Sequence, residues 1–247
     1  MPGDVLALYE PINVLKPVGP DIWIVDGPQI DFAYLGLKLP FPTRMTLVRL
    51  GDGALWLHSP IFPDGGLIER IAEIGEVRCL VAPNSLHYWW LPEWKAKFPQ
   101  AEVHAVPGLR RSAKRPIPIE FELRDVPPPV WRGTIDQVLV PGSMLTEVDF
   151  FHRPSRTLIL TDLIENFELQ RVRGGFLRTL IRLFGAADPD GKAPYDMQLS
   201  FLGHRKKVRA AVDRMIGWNP EKLVMAHGRW YDRDAVSELR RAFRWAG

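Results

Sequence analysis

Three apolar stretches of the sequence each end at a side chain that can bind a metal ion. VRCLVAPNSLH ends at His87, RTLILTD ends at Asp162, and KLVMAHG carries His227. Large or β-branched apolar residues bounded by Pro, Asn or Gly are typical of buried strands followed by turns. In a layered α/β fold, the side chains just beyond strand ends gather at one edge of the sheet. Two imidazoles and one carboxylate meeting there would hold one metal ion and leave positions open for water or a substrate.

The elements that must position these residues follow a strand–helix–strand rhythm. Strands are predicted at 21–27, 45–50 and 54–59, and Gly51-Asp52-Gly53 between the last two is a hairpin signal. The run GLIERIAEIG places its apolar residues on one helical face. Further on, DQVLVPG, EVDFFH and TLILTD are predicted strands, and helices are predicted at 201–216 and in DAVSELRRAFRW. This order indicates an α/β fold of two packed sheets flanked by helices, in one domain over 1–247.

Composition places the chain among ordinary globular proteins. It has 247 residues, 46% hydrophobic and 25% charged. The single cysteine, Cys79, lies in an apolar run, which predicts a buried thiol and a reducing, cytoplasmic location. No secretory leader and no apolar run long enough to span a bilayer is recognised in the sequence. Nothing in the sequence predicts a nucleic-acid partner, and the oligomeric state is left open.

The order of these elements resembles the metallo-β-lactamase superfamily. The counterparts of its characteristic segments are ALWLHSPI, VAPNSLHYWW, LVPGSMLTEVDFF, TLILTDL and LVMAHGRW. The resemblance covers nearly the whole chain from about Ile22. It implies an αββα sandwich, in which two mixed β-sheets are flanked by helices and the metal site lies at one edge of the sheets.

Residue by residue, the resemblance to the superfamily's metal site is partial. When the H-x-H-x-D-H motif is aligned on His87, its other three positions fall on Ala82, Asn84 and Leu86. Ser143 stands where a further histidine is usual. The resemblance therefore implies that one of two metal sites is lost. Three of the four ligands of the other site are kept, and they are again His87, Asp162 and His227.

Several neighbouring residues are candidates for the wall of the site. The aromatic residues and two polar residues that replace lost ligands are predicted to line a substrate pocket: Asn84, Tyr88, Trp89, Trp90, Ser143 and Trp230. Glu147 and Asp149 share one face of the strand EVDFFH. Because carboxylates are mostly solvated, an exposed face is the favoured prediction. The functional alternative makes Glu147, beside Asp162, a catalytic base or a substitute ligand.

The C-terminal third carries the basic residues of the chain. Residues 165–247 contain 16 Lys and Arg and 10 Asp and Glu, a net charge of +6. Within a helical insertion at about 166–195, the segment 171–184 has one apolar and one cationic face. We expect it to pack over the site as a lid. Peripheral contact with a membrane surface is the less favoured alternative.

The sequence leads to two hypotheses. The first is a metal-dependent hydrolase with one divalent ion (zinc, iron or manganese), in which Asp162 or Glu147 serves as base and an ester, lactone or phosphoester is the substrate. The second is a non-catalytic protein of the same fold that binds a small molecule or a partner and holds no metal. A redox protein with iron on the His-His-Asp set is a third, less favoured possibility.

Overall fold

The computed structural model describes residues 5–34 and 36–247. Within this part, the strands are β1 Val5–Leu6, β2 Lys16–Gly19, β3 Ile22–Tyr34, β4 Leu37–Arg49, β5 Leu55–His58, β6 Val77–Ala82, β7 Glu102–Ala105, β8 Phe121–Glu122, β9 Ile135–Val140, β10 Glu147–His152, β11 Thr157–Ile159, β12 Val172–Arg173 and β13 Lys222–Val224. The α-helices are α1 Gly65–Ile74, α2 Leu91–Lys97, α3 Leu109–Ser112, α4 Gly175–Phe184, α5 Tyr195–Ser200, α6 Arg205–Gly217 and α7 Ala235–Ala242. Among these described residues, no helix is both long enough and apolar enough to cross a membrane.

The larger sheet contains seven strands in the order β2-β3-β4-β5-β6-β7-β8. Its first four strands pair antiparallel and β5 to β8 pair parallel, so the sheet is mixed. β3 and β4 form a much longer hairpin than the predicted strands 21–27 and 45–50, and β4 includes Pro40 and Pro42. β5 pairs only with Thr46 to Arg49, so Pro40 and Pro42 lie at an edge, where a missing N–H is tolerated.

The smaller sheet contains four strands in the order β13-β11-β10-β9, with β11 and β13 parallel and the other pairs antiparallel. α6 and α7 cover its outer face through buried residues such as Val208, Met215 and Leu239. α1 and α2 pack with the larger sheet. The two sheets meet through Trp56 and Phe150, whose ring centroids are 4.9 Å apart. The predicted fold class, two mixed sheets with flanking helices, is confirmed.

The region 166–195 forms a small hydrophobic cluster of its own. β12 pairs antiparallel with β1, and α4 follows directly. Phe167, Leu177 and Ile181 are buried in this cluster, and Leu39 and Phe41 of β4 pack against it. α4 is therefore held beside the long β3–β4 hairpin and next to the edge where the three predicted ligands lie.

Candidate metal centre

His87, Asp162 and His227 come together at one edge of the sheets. They follow the ends of β6, β11 and β13, respectively, as the positions of the apolar runs predict. Asp162 Oδ1 lies 3.2 Å from His87 Nε2 and 3.3 Å from His227 Nε2, and the two Nε2 atoms are 3.2 Å apart. Three atoms that can each donate an electron pair thus form a nearly equilateral triangle.

The far nitrogen of each imidazole is held by a hydrogen bond. His227 Nδ1 lies 2.9 Å from the carbonyl oxygen of Pro42, which can only accept, so Nδ1 carries a proton and donates. Its Nε2 is then the acceptor that faces the centre. His87 Nδ1 is 2.7 Å from the Ser59 hydroxyl. Such bonds to the far nitrogen orient metal-binding histidines and select their tautomer.

The Asn84 amide ties two of the three residues together. Its Nδ2 atom lies 2.7 Å from Asp162 Oδ2 and 2.9 Å from Glu147 Oε2, and it donates to both carboxylates. Its Oδ1 atom accepts hydrogen bonds from the backbone N–H groups of Leu86 and His87. Asn84 is completely buried, and its hydrogen bonds hold the surrounding residues in place. It does not line the cavity, contrary to the prediction.

The prediction that Glu147 and Asp149 lie on an exposed face is wrong, because both are fully buried. β10 lies between β9 and β11 inside the sandwich. Glu147 accepts hydrogen bonds from the backbone N–H groups of Thr161 and Asp162, at 2.8 and 3.0 Å. It therefore stands behind Asp162 and braces the turn after β11, and it does not reach the cavity.

The ionisable groups of the centre perturb one another strongly. Burial lowers the pKa of His87, but the charge of Asp162 and its hydrogen bond outweigh this, so the net shift is upward. Burial raises the pKa of Asp162, but His87 and His227 overcome that effect and hold it well below its usual range. The centre thus favours an ionised carboxylate between two imidazoles.

The three atoms match the needs of a metal ion in type and spacing. Ligand atoms about 2.0–2.1 Å from a tetrahedral zinc ion stand roughly 3.4 Å from one another. The observed separations of 3.2–3.3 Å are close to that value. Imidazole nitrogen and carboxylate oxygen also suit iron and manganese. The residues present therefore fit one divalent ion with three protein ligands.

Gly228 makes the turn that carries His227. Its φ is +90°, and an added Cβ would lie 2.1 Å from the carbonyl oxygen of Asn166. Gly228→Ala is therefore expected to lower the free energy of unfolding by about 3 kcal/mol, because strain and a backbone clash add together. Urea unfolding measures this loss. Gly203→Ala is the control, since its Cβ would meet no atom within 4 Å; equal effects of the two substitutions would contradict the explanation.

A cavity of about 430 Å³ opens beside the three candidate ligands, all of which line it. Tyr88, Trp89 and Trp90 also line it, as the sequence predicts. Ser143 and Trp230 do not. The Ser143 hydroxyl donates a hydrogen bond to the carbonyl oxygen of Ser200. Trp230 packs against the hydrophobic core that includes the larger sheet.

α4 forms one wall of the cavity through four apolar residues: Leu177, Leu180, Ile181 and Phe184. This placement agrees with the prediction of a helix that packs over the site. The cationic residues of the segment lie on other faces of the helix; Arg178 and Arg182 are exposed.

Sequence reasoning missed several polar residues at the cavity, among them Ser59 and Glu165. Ser59 directly follows β5, and no feature of the sequence relates it to His87. Glu165 lies three residues after Asp162, lines the cavity and is buried, so that burial and the charge of Asp162 raise its pKa well above the usual range. The polarity of DLIENF was the only available signal for Glu165.

Two other histidines, His58 and His104, are buried outside this centre. His58 is buried and stacked on Trp56, and burial lowers its pKa to about 3, so it stays neutral. Possible ligand atoms of His104, Cys79 and Glu102 also lie within 4.8 Å of one another, on the adjacent strands β6 and β7. Burial raises the pKa of the Cys79 thiol, and the His104 Nε2 atom is already bonded to Glu102. This second set is therefore less suited to an ion than the first.

The comparison with protein families identifies the chain. A family described as "Domain of unknown function (DUF4336)" matches residues 21–173, which is more than half of the sequence. The chain belongs to the DUF4336 family. The matched segment includes β3 to β11 and two of the candidate ligands, His87 and Asp162, whereas His227 lies beyond it. No curated protein matches this DUF4336 chain in sequence.

Solved structures show the fold of this DUF4336 protein. It is similar to the DIM-1 metallo-β-lactamase (12% identity, 98% and 99% of the two chains covered, TM-score 0.62). It is also similar to a metallo-β-lactamase from Hirschia baltica (12% identity, 96% and 98% covered, TM-score 0.60). A third is FIM-1 from Pseudomonas aeruginosa in its mono-zinc form (12% identity, 98% and 96% covered, TM-score 0.56). The metallo-β-lactamase fold implied by the sequence resemblance is thus confirmed.

Proposed function

We propose that this DUF4336 protein is a metal-dependent hydrolase with one divalent ion held by His87, Asp162 and His227. The triangle of ligand atoms at 3.2–3.3 Å, with both imidazoles already oriented by Pro42 and Ser59, is the observation that supports it. FIM-1 has been obtained in a mono-zinc form, so a protein of this fold accommodates a single ion. The buried, free Cys79 is compatible with a cytoplasmic location, which we include in the proposal.

When bound, the ion would act as a Lewis acid and lower the pKa of a water molecule to near neutrality. The protein's own contribution is orientation. Asn84 and Glu147 hold Asp162 in place through the contacts described above. Because its pKa is low, Asp162 is suited to accept a hydrogen bond and orient the attacking water. Burial and the charge of Asp162 raise the pKa of Glu165, so this side chain is suited to supply a proton to a leaving group in the cavity.

Metal analysis combined with an assay tests the proposal. The purified protein, prepared without chelator, is expected to contain about one Zn²⁺, Fe²⁺ or Mn²⁺ per chain, since a dedicated three-ligand site retains its ion. It is expected to hydrolyse 4-nitrophenyl acetate, and dialysis against a chelator should abolish this activity until metal is restored. A protein that contains no metal and acquires none on addition of Zn²⁺ would contradict the proposal and favour the non-catalytic binding protein.

A further inference from the structure

The cavity beside the metal centre is polar at one end and apolar elsewhere. Ser59, His87, Asp162 and His227 are grouped at the centre, as their mutual contacts show. The remaining wall is largely hydrophobic and comes from separate parts of the chain. The long hairpin supplies Ile30, Phe32, Leu39 and Phe41; α4 supplies Leu177, Leu180, Ile181 and Phe184; the loop after β6 supplies Leu86, Tyr88, Trp89 and Trp90.

The charges along the wall disfavour an anionic ligand. Of the described residues that line the cavity, Arg44 is the one with a permanent positive charge. Its guanidinium is buried and already bonded to Asp26 and to the carbonyl oxygens of Met225 and Gly228. The wall also contains the acidic residues Glu165 and Asp196. Apart from the proposed metal ion, a phosphate group would find no uncommitted cation there, so a phosphoester is the least suitable of the predicted substrate classes.

The mouth of the cavity is apolar as well. Leu86, Trp89 and Met144 line the cavity, yet they are 41%, 46% and 69% exposed. Large apolar side chains that are grouped and exposed around a concave site are typical of ligand entry. They would favour a hydrophobic chain over a sugar or a nucleotide, whose hydroxyl and phosphate groups would lose hydrogen bonds to water on entry.

We propose that the cavity binds the acyl chain of a dissolved, uncharged carboxylic ester, with the ester carbonyl at His87, Asp162 and His227. This assignment rests on the proposed function. In the reaction, the oxygen of water forms a bond to the carbonyl carbon and the bond from that carbon to the alkoxy oxygen breaks. One proton of the water passes to the alcohol, and the other is released as the new acid ionises. The apolar wall binds the chain and holds the carbonyl near the reacting end.

A series of 4-nitrophenyl esters from acetate through butyrate and hexanoate to octanoate tests this with the zinc-loaded protein. Since a buried methylene contributes about 0.8 kcal/mol, kcat/KM is expected to rise roughly threefold to fourfold for each added methylene until the chain fills the cavity. Equal kcat/KM for acetate and octanoate would overturn the inference while leaving the proposed hydrolase intact. Activity confined to esters embedded in phosphatidylcholine vesicles would overturn the assignment of a dissolved substrate.

Leu180→Gln and Leu183→Gln form a matched pair on α4. Leu180 lines the cavity, whereas Leu183 does not and is 66% exposed. Leu180→Gln is expected to lower kcat/KM for octanoate about tenfold and to lower it much less for acetate, because the amide must lose water to accommodate the longer chain. Leu183→Gln should leave both values unchanged. Equal effects of the two variants would contradict the location of the chain.

Binding can be measured without any catalysis. Calorimetry with the metal-free protein is expected to show tighter binding of octan-1-ol than of butan-1-ol, with a negative heat-capacity change. This result, together with no hydrolase activity in the zinc-loaded protein, would overturn the proposed function and retain the chain-binding cavity. Absence of octan-1-ol binding would overturn the cavity assignment, whatever the protein hydrolyses.

Discussion

His227→Ala is expected to lower the affinity of the protein for Zn²⁺ at least about 100-fold and to abolish hydrolysis. Loss of a residue that only orients a metal ligand typically lowers the metal affinity 10–100-fold, and loss of the ligand itself should lower it at least as much. Without the imidazole, His87 Nε2 and Asp162 Oδ1 remain as the two atoms of the triangle, 3.2 Å apart. Competition with a chromophoric chelator measures the affinity.

Two further variants make this result interpretable. His204→Ala is the matched control, since His204 lies at the start of α6 and is not part of the His87, Asp162 and His227 group; its affinity for Zn²⁺ should be unchanged. His87→Ala should lower the Zn²⁺ affinity in the same way. Because His87 is less buried than His227, a folding defect caused by the His227 substitution would not explain both losses. Unchanged Zn²⁺ affinity in His227→Ala would refute the ligand assignment.

The grouping of the three candidate ligands could be predicted from the sequence because it depends on a general property of strands. Apolar runs mark the buried strands, and residues just after them meet at a sheet edge. The same reasoning, with the order of elements, was sufficient for the fold. The groups that orient the candidate ligands were not predictable in this way. The Pro42 carbonyl that orients His227 has no signature in the sequence, since every residue has a carbonyl group.

The burial of Glu147 could not be predicted from the pattern of its own strand. The alternation in EVDFFH is typical of a strand with one solvated face. In the folded chain, the second face is covered too, and the carboxylate is compensated by donors from other elements: the amide of Asn84 and the backbone N–H groups of Thr161 and Asp162. Asn84 and Asp162 are distant in the sequence from Glu147. Only the tertiary structure brings them together, so a pattern within one strand could not indicate the buried cluster.

The cavity was anticipated only in part for a related reason. The aromatic run Tyr88-Trp89-Trp90 stands out in the sequence and does line the cavity. Another wall comes from the β3–β4 hairpin, which extends well beyond the strands predicted at 21–27 and 45–50. Its residues Phe32 and Phe41 pair across the hairpin at 5.7 Å between ring centroids, a contact that depends on register. The size and polarity of the cavity therefore followed from the structure alone.

Asp149→Asn is expected to stabilise the protein, and by an amount that increases with pH. Asp149 is fully buried, and burial together with the negative charges of Glu147 and Asp162 raises its pKa well above the usual value. The folded protein thus keeps this proton, whereas the unfolded chain releases it near pH 4. The protonated Asp149 carboxyl makes its full contribution to the stability of the fold below about pH 4. This contribution is lost as the pH rises toward the raised pKa.

The asparagine side chain does not ionise, so the variant does not lose stability at this position as the pH rises. The free energy of unfolding of Asp149→Asn minus that of the wild type should increase by about 1.4 kcal/mol per pH unit from pH 5 up to the raised pKa. Urea unfolding of both metal-free proteins at pH 5, 6 and 7 measures the difference, in which His87 and Glu165 contribute equally to both proteins. Asp31→Asn, which replaces an aspartate at an exposed position, is the control. A pH-independent difference for Asp149→Asn would mean that Asp149 is ionised inside the folded protein, next to Glu147.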